Sequence, residues 1–387
     1  MLNKITNGHI GWQYDAKLTT MKESKTINII GGGVCGLSAA LALQNNGIDY
    51  KLYEANSEIT YENVGLGISA NIIHILKEWN IYDETKEIGA EILHLHFVDK
   101  KLNYIKSFPL KRPAISVNRK LFYKLLYDCL RKENINLNSA KLLSDFSKSD
   151  IVIAADGINS KVRKHIYPNL KLRNSNQVLW RGISEVALDE KYQNAYFDFV
   201  GNNLRFAIIH TGKDNYSWYI IKQKVEQESV SFDKEYLKSF FKDYHPIVNQ
   251  IINASESIYY SELIDIDPNE RKNLDWYFDN TILIGDAIHP TTPNMANGAC
   301  LAIEDSYLLA SLLGRKDLSI HEAFATFQSK RIQKVNRVVN QSYLMGKLMH
   351  TNNSIMEYFI TKGISLTPKF IFDKIYSTIL QETKVER

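Results

Sequence analysis

The chain has 387 residues, 44% of them hydrophobic and 23% charged, with 47 Lys and Arg against 43 Asp and Glu for a formal net charge of +4. That length exceeds one ordinary core and predicts two domains of a soluble globular protein. The mild charge lacks the dense basic runs of a nucleic-acid binder, and no apolar run is long enough to cross a bilayer. Cys35, Cys129 and Cys300 are odd in number and lack metal-ligand spacing, which suits a reducing cytoplasm. Residues Met1 to Lys25 are polar and unpatterned, without the apolar centre of a signal peptide, and read as a flexible extension in which Met21 offers an alternative start.

The first patterned stretch runs from Thr26 to Glu54. Ile27, Ile29 and Ile30 form a short apolar strand that ends at Gly31-Gly32-Gly33-Val34-Cys35-Gly36. The spacing of Gly31, Gly33 and Gly36 is a GxGxxG fingerprint, in which the first glycine makes the turn, the second admits a pyrophosphate and the third lets the helix pack closely. Leu37, Ala40, Leu41 and Leu43 give that helix a buried stripe, with Gly47 as its stop. The next strand, Tyr50 to Tyr53, ends at Glu54, eighteen residues past Gly36, where a carboxylate can accept both ribose hydroxyls of an adenosine. Strand, glycine turn, helix and acid together predict an adenine dinucleotide site.

Gly65 and Gly67 come next, placed either for a turn or for backbone lying close to a flat ligand, and Ser69 follows them. Ile72, Ile73, Leu76 and Trp79 suit one helix face closing at Asn80. His94 and His96 alternate with apolar residues in a strand; without an acidic or cysteine partner they predict no metal site. Ile115 to Val117 reads as a short strand followed by a helix with Leu121, Leu125 and Leu126. Arg119 at that junction can reach a phosphate or a flavin edge, or lie on the surface.

Ile151 to Ala155 reads as a strand buried on both faces, ending at Asp156-Gly157 where open α/β sheets bind ligands, with Ser160 as cap for the helix bearing Val162 and Arg163. From 172 to 276 the pattern changes to β-branched and aromatic runs, at 178–180, 195–197, 204–209 and 218–221, with polar turns between them. This predicts an inserted antiparallel sheet, followed by a helix near Glu235 to Tyr244. Arg181, Arg205 and His210 lie in or beside its strands, and each could orient a substrate oxygen or be ordinary sheet surface. A second buried strand, Thr281 to Ile284, ends at Gly285-Asp286. A loop with Pro290 and Pro293 then leads to a helix opening at Gly298-Ala299, whose free N–H groups can bond an anionic ring edge.

These three stretches, in this order and spacing, resemble the group A flavoprotein hydroxylases, the FAD monooxygenases of the para-hydroxybenzoate hydroxylase type. The run from Pro293 to Asp305 is most similar to the branch holding urate hydroxylase, alkylquinolone hydroxylase and zeaxanthin epoxidase. The resemblance implies an α/β fold: a Rossmann-like FAD-binding domain over 26–171 and 277–340, an inserted antiparallel-sheet substrate domain over 172–276, and C-terminal helices over 341–387. It implies that Glu54 holds the adenosine ribose, that Arg119 contacts FAD, and that Asp156 and Gly157 serve the pyrophosphate side and NAD(P)H. Asp286 would bind the ribityl or pyrophosphate region, with Gly298 and Ala299 against the flavin ring. The implied reaction uses NADH or NADPH and O2 to hydroxylate or epoxidise an electron-rich aromatic or alkene small molecule through a C4a-hydroperoxyflavin. Alternatives are another FAD oxidoreductase of this fold, or a flavin-binding protein without turnover. The halogenase Trp-x-Trp pattern is absent, since no two of Trp12, Trp79, Trp180, Trp218 and Trp276 are two apart. The chain departs from the family at Ala296, where Gly is usual and a methyl narrows the loop beside the flavin, and in its short 134–148 segment.

Beyond the resemblance, Tyr343, Leu344, Leu348, Met356, Phe359 and Ile360 precede a break at Pro368. Phe370, Ile371, Phe372, Ile375, Tyr376 and Ile379 follow it, among Lys369, Asp373 and Lys374. The stripe predicts helices packed on their own domain, with a lid or a weak membrane-surface contact as the alternative. The expected partners are a small-molecule substrate and O2, with no nucleic acid, in a monomer or homodimer.

Overall fold

Ile27, Ile29 and Ile30 have no exposed face, and the strand they form is the centre of a parallel sheet. The computed structural model describes residues 26–383 except 60, 202, 226–230 and 351–353, so the extension expected over Met1–Lys25 lies outside the described residues. Its strands are β1 (Ile27–Ile30), β2 (Tyr50–Tyr53), β3 (Gly65–Ile68), β4 (Gly89–Val98), β5 (Tyr104–Asn118), β6 (Ile135–Asn136) and β7 (Ile151–Ala154). They continue with β8 (Leu172–Glu185), β9 (Ala195–Gly201), β10 (Leu204–His210), β11 (Asn215–Gln223), β12 (Tyr259–Ile266), β13 (Tyr277–Phe278) and β14 (Thr281–Leu283). The helices are α1 (Val34–Asn45), α2 (Ile73–Glu78), α3 (Tyr82–Glu87), α4 (Arg119–Asp128), α5 (Lys161–Ile166) and α6 (Lys234–Ser239). After them come α7 (Ile247–Asn253), α8 (Pro268–Arg271), α9 (Gly298–Leu313), α10 (Ile320–Met349), α11 (Ser354–Leu366) and α12 (Lys369–Ile379).

The first sheet has the order β13-β14-β7-β1-β2-β6, parallel except at β13. Its strands β1, β7 and β14 are buried throughout, which explains why Asn28 and Thr281 are the polar residues among otherwise apolar ones: a parallel sheet covered on both faces has no polar side. Helix α1 stops where Gly47 takes φ +67°.

The second sheet has the order β12-β8-β11-β10-β9-β4-β5-β3, antiparallel except for the β4–β9 pair. Three of its strands come from 65–118, so this sheet is not confined to the expected 172–276 range. Strand β5 is also far longer than Ile115 to Val117; its register against β4 shifts between Ile92 and His94, which leaves residues 110–113, Pro113 among them, outside the ladder. The helix expected near Glu235 to Tyr244 is the shorter α6, capped by Asp233.

Register decides which side chains share a face. Trp180, Trp218, Phe206, Phe199 and Phe197 lie on one face, packed against Leu237, Phe241, Val248 and Ile251 of the α6–α7 layer. Arg181, Tyr219, Ala207 and Asp198 form one cross-strand row on the opposite face. Leu179, Ile221, Arg205 and Val200 form the next row of that face. Helix α10 begins with a capping box between Ser319 and Glu322. Helices α11 and α12 then return to the second sheet, where Phe372 stacks on Phe108 with ring centroids 3.9 Å apart.

Candidate cofactor and substrate site

The glycine turn at the end of β1 is built from three different constraints. Gly31 has φ +103°, and a Cβ there would stand 2.5 Å from the Ala155 carbonyl oxygen. A Cβ on Gly36 would stand 1.8 Å from the carbonyl oxygen of Gly31, so its task is to let the helix close on the turn itself. A Cβ on Gly33 would meet nothing within 4 Å; the space above that residue is open. Helix α1 has no capping side chain and no acid in its first turn, so its leading N–H groups point at that space. Glu54, 9% exposed, accepts from the Gly32 N–H at 2.6 Å and the Asn56 N–H at 2.9 Å. A carboxylate has about four acceptor positions, which leaves capacity for ribose hydroxyls.

At the end of β7, one oxygen of Asp156 accepts from the N–H groups of Lys161 at 2.7 Å and Val162 at 3.2 Å. Its other oxygen is buried with no partner. Ser160 caps α5 through the Arg163 N–H at 2.9 Å, and the Arg163 guanidinium donates to the carbonyls of Asp286 at 3.0 Å and Ala287 at 2.8 Å. Arg163 thus ties the two strand ends together. Gly285 is at φ +57°, with Cys35 Sγ 2.7 Å from where a Cβ would be. The half-buried Asp286 is pushed above the usual carboxylate range by burial, against the pull of His289, Arg119 and Arg163.

The following loop passes through Pro293–Met295 and reaches Ala296 at φ +49°. Left-handed backbone costs a residue with a Cβ roughly 1–2 kcal/mol, part of which glycine would lose again through its freer unfolded chain. Ala296→Gly is therefore expected to raise stability by about 0.5–1 kcal/mol, read as a higher urea midpoint at an unchanged slope. An unchanged or lower midpoint would refute that reading. Asn297, 1% exposed, sits at the start of α9 with both side-chain amide atoms unpartnered. Gly298 and Ala299 open the helix beside it.

Arg119 lies at the β5–α4 junction, where Asn118 caps the helix. It donates to the Tyr123 hydroxyl at 3.0 Å and to Glu62 at 3.3 Å; Glu62 also receives Arg181 at 2.6 Å. Tyr61 completes this group by donating to the Gly32 carbonyl. Burial and the neighbouring Arg119 hold the Arg181 pKa below its ordinary value despite Glu62. Gly65 and Gly67 lie in a strand, not a turn. A Cβ on Gly65 would strike Ser217 at 2.3 Å, whereas one on Gly67 would make ordinary contact, 3.5 Å from the Ala296 methyl. The Ser69 N–H donates to Cys300 Sγ in the first turn of α9 at 3.3 Å.

Gly31, Gly33, Gly36, Glu54, Asp156, Gly157 and Asp286 thus converge at the carboxyl ends of β1, β2, β7 and β14. Ser69, Pro293, Gly298 and Ala299 gather around the start of α9. Of the substrate-side candidates, Arg181 is on the sheet face turned toward this group. Arg205 shares that face but is 1% exposed and bound to Asp198, with Nη2 3.0 Å from the Tyr219 hydroxyl. His210 is removed from the set: Nδ1 accepts from the Asn194 N–H at 3.1 Å and Nε2 donates to the Lys213 carbonyl at 2.9 Å, so one nitrogen holds the chain entering β9 and the other the β10–β11 turn. The sequence alone did not expose Tyr61, Glu62, Tyr196, Tyr219 or Asn297. A period-2 count along β11 puts Tyr219 with Ser217 and Ile221, but nothing local says which face meets the cofactor.

The FAD binding domain family matches residues 147–342. Aurachin C monooxygenase/isomerase from Stigmatella aurantiaca is 26% identical over 359 residues, spanning 86% of this chain and 92% of that protein. The 2-heptyl-3-hydroxy-4(1H)-quinolone synthase of Pseudomonas aeruginosa is 26% identical over 345 residues, 84% of this chain and 89% of that protein. Among solved structures, Klebsiella pneumoniae HpxO complexed with FAD and uric acid superposes with a TM-score of 0.80 at 22% identity, over 92% of this chain and 97% of that one.

Proposed function

This chain belongs to the FAD binding domain family, and we propose that it is an FAD-dependent monooxygenase that uses NAD(P)H and O2 to hydroxylate an electron-rich aromatic or heteroaromatic ring. One observation carries the reading. Asp156 Oδ1 at the end of β7 and both amide atoms of Asn297 at the start of α9 are buried polar atoms without partners, and the space over Gly33, at the end of the neighbouring β1, is open. A dinucleotide with a polar ring edge fits that set. Residues 26–171 and 277–340 then form the cofactor half and 172–276 most of the substrate half, with β3 to β5 joining the substrate sheet.

Each residue has a physical task. The α1 N-terminus and the backbone at Gly31 to Gly33 hold the pyrophosphate, and Glu54 takes the adenosine ribose. Arg119 and Asp286 hold the ribityl–pyrophosphate region, and the first N–H groups of α9 with Asn297 bond the ring edge. When bound, FAD supplies hydride acceptance and oxygen activation. The chain supplies orientation and a water-poor face. Tyr219 is pushed up to about 12 by burial, with Arg205 opposing, and Tyr196 is raised further by burial and Asp198. Both phenols are neutral at pH 7 and hydrogen-bonded to each other beside Arg205, with Tyr196 also donating to Asp198 at 3.1 Å, so Tyr196 spends its hydrogen within the group. Arg181 and the Tyr219 hydroxyl, in one cross-strand row, are placed to meet a hydroxyl or carbonyl oxygen on a substrate ring.

The test is direct. Purified protein loaded with FAD is mixed with phenols, hydroxypyridines and quinolones, and NAD(P)H oxidation is followed with mass spectrometry in labelled O2. Substrate-stimulated oxidation with one labelled oxygen in the product is expected. Bound FAD that no nicotinamide reduces would replace this reading with that of a binding module, and reduction without product labelling would make it a reductase.

Asp286→Ala is expected to weaken FAD by tenfold or more. A hydrogen bond to a charged group is worth on the order of 1.5–3 kcal/mol, and about 1.4 kcal/mol is one decade of affinity. Fluorescence titration giving wild-type affinity in a folded variant would remove Asp286 from the site.

A further inference from the structure

We infer that α11 and α12 form a docking ridge that seats the FAD-loaded enzyme on an anionic lipid surface. The inner side of the pair is occupied. Ile364 and Phe372 pack with Phe97, Phe108 and Val200 on the Arg205 face of the second sheet, and Lys106 donates to the Ser365 carbonyl at 3.2 Å. The outer side is apolar and open. Tyr358, Phe359 and Leu366 of α11 are 58%, 63% and 75% exposed, and Phe370 at the start of α12 is 71% exposed. Phe359 and Leu366 are seven apart, two helical turns, and share one face with Ile355; Leu366 and Phe370 flank the turn at Pro368. Leu344 and Leu348, one turn apart at the end of α10, are also exposed. A soluble monomer rarely leaves so many large apolar side chains together on consecutive helices.

Charge selects the partner. Lys347, Lys362 and Lys369 are exposed among these residues. Asp373 is paired with Lys111 at 2.6 Å and Glu382, past the end of α12, with Arg112. An apolar ridge edged with lysines matches the headgroup–acyl boundary of an anionic bilayer, where lysine stems lie along the apolar phase and their ammonium groups reach lipid phosphates. A second copy is the weaker occupant, because a two-fold contact through this face would set lysine against lysine. No described helix is long and apolar enough to cross a membrane, so the contact is interfacial. The ridge also roofs the face that carries Arg205 and Val200, which places a lipophilic ring substrate between the bilayer and the pocket. That last point rests on the monooxygenase reading; vesicle binding does not.

Full-length FAD-loaded protein is sedimented with phosphatidylcholine vesicles and with vesicles containing phosphatidylglycerol. Sedimentation with the anionic vesicles, falling as salt screens the lysines, is expected. The Leu366→Ser/Phe370→Ser double variant, altered only at exposed positions, should keep its flavin spectrum and thermal midpoint while its partitioning falls on the order of tenfold or more. Lys362→Glu/Lys369→Glu should lose the anionic preference with the same fold retained. The inference is overturned if the wild type stays in the supernatant, or if the serine variant sediments equally. It is overturned too if light scattering shows a concentration-dependent dimer that the serine variant abolishes. A protein that binds vesicles but hydroxylates nothing would refute the proposed reaction and leave the ridge intact.

Discussion

A Gly33→Val protein is expected to fold as the wild type does and to fail to bind FAD. The two halves of that statement come from one observation: a Cβ at Gly33 meets no protein atom within 4 Å, and its φ of −69° is open to any residue. Valine is a poor helix N-cap, which limits the folding cost to about 1 kcal/mol. The branched side chain would fill the space through which a pyrophosphate approaches the backbone, and phosphate bonding to the α1 N–H groups would be lost. Gly36→Ala makes the opposite case. Its methyl would stand 1.8 Å from the Gly31 carbonyl, so that variant should lose stability whether or not FAD is present. The measurement is the thermal midpoint with and without excess FAD. Wild type rises through binding linkage, Gly33→Val starts near the wild-type apo value and does not rise, and Gly36→Ala starts low. A yellow Gly33→Val protein of normal affinity would place the phosphates elsewhere.

The contrast between those glycines also shows what the sequence can disclose. Strand, turn and helix around Gly31 to Gly36 are local, so apolar runs and spacing located them, as they did Asp156-Gly157 and Gly285-Asp286. Glu54 was located by distance from Gly36, but its bond to the Gly32 N–H, which makes it part of the turn, depends on how β2 lies beside β1. The second sheet was legible as strands and not as a sheet. The parallel pairing of His94 with Ala195 joins segments a hundred residues apart, and no local pattern encodes a partner that distant. Arg205 and His210 show the same limit at single residues. Each was a polar side chain in a strand, and only the register brought Asp198 to one and the Asn194 N–H to the other.

Arg331→Met is expected to destabilise the folded protein by about 3–5 kcal/mol, the usual cost of stranding buried carboxylates by removing their cation. Arg331 is 1% exposed and reaches Asp305 at 2.7 Å, Glu304 at 2.8 Å and the Leu301 carbonyl at 3.2 Å, so it binds α10 to the first half of α9. Asp305 in turn accepts from the Gly285 N–H at 3.0 Å and pairs with His289 at 2.6 Å. The network therefore fixes α9, whose first turn is proposed to bond the ring edge, against the strand end that carries Asp286. Burial alone would raise Asp305, yet His289 and Arg331 outweigh it and hold its carboxyl below the ordinary range. A carboxylate depressed in the folded state contributes stability above its unfolded pKa and loses it as pH falls through the folded value. With Arg331 gone, burial regains weight and Asp305 moves up. The variant's stability should then fall less steeply on acidification than the wild type's, so that the gap between the two narrows in urea melts taken from pH 7 down to about pH 3. Asp305→Asn in the Arg331→Met background should cost less than the sum of the two single changes, because it removes the stranded charge. Additive costs, or a gap that stays constant with pH, would show that the pair contributes packing alone and that α9 is held by its apolar face.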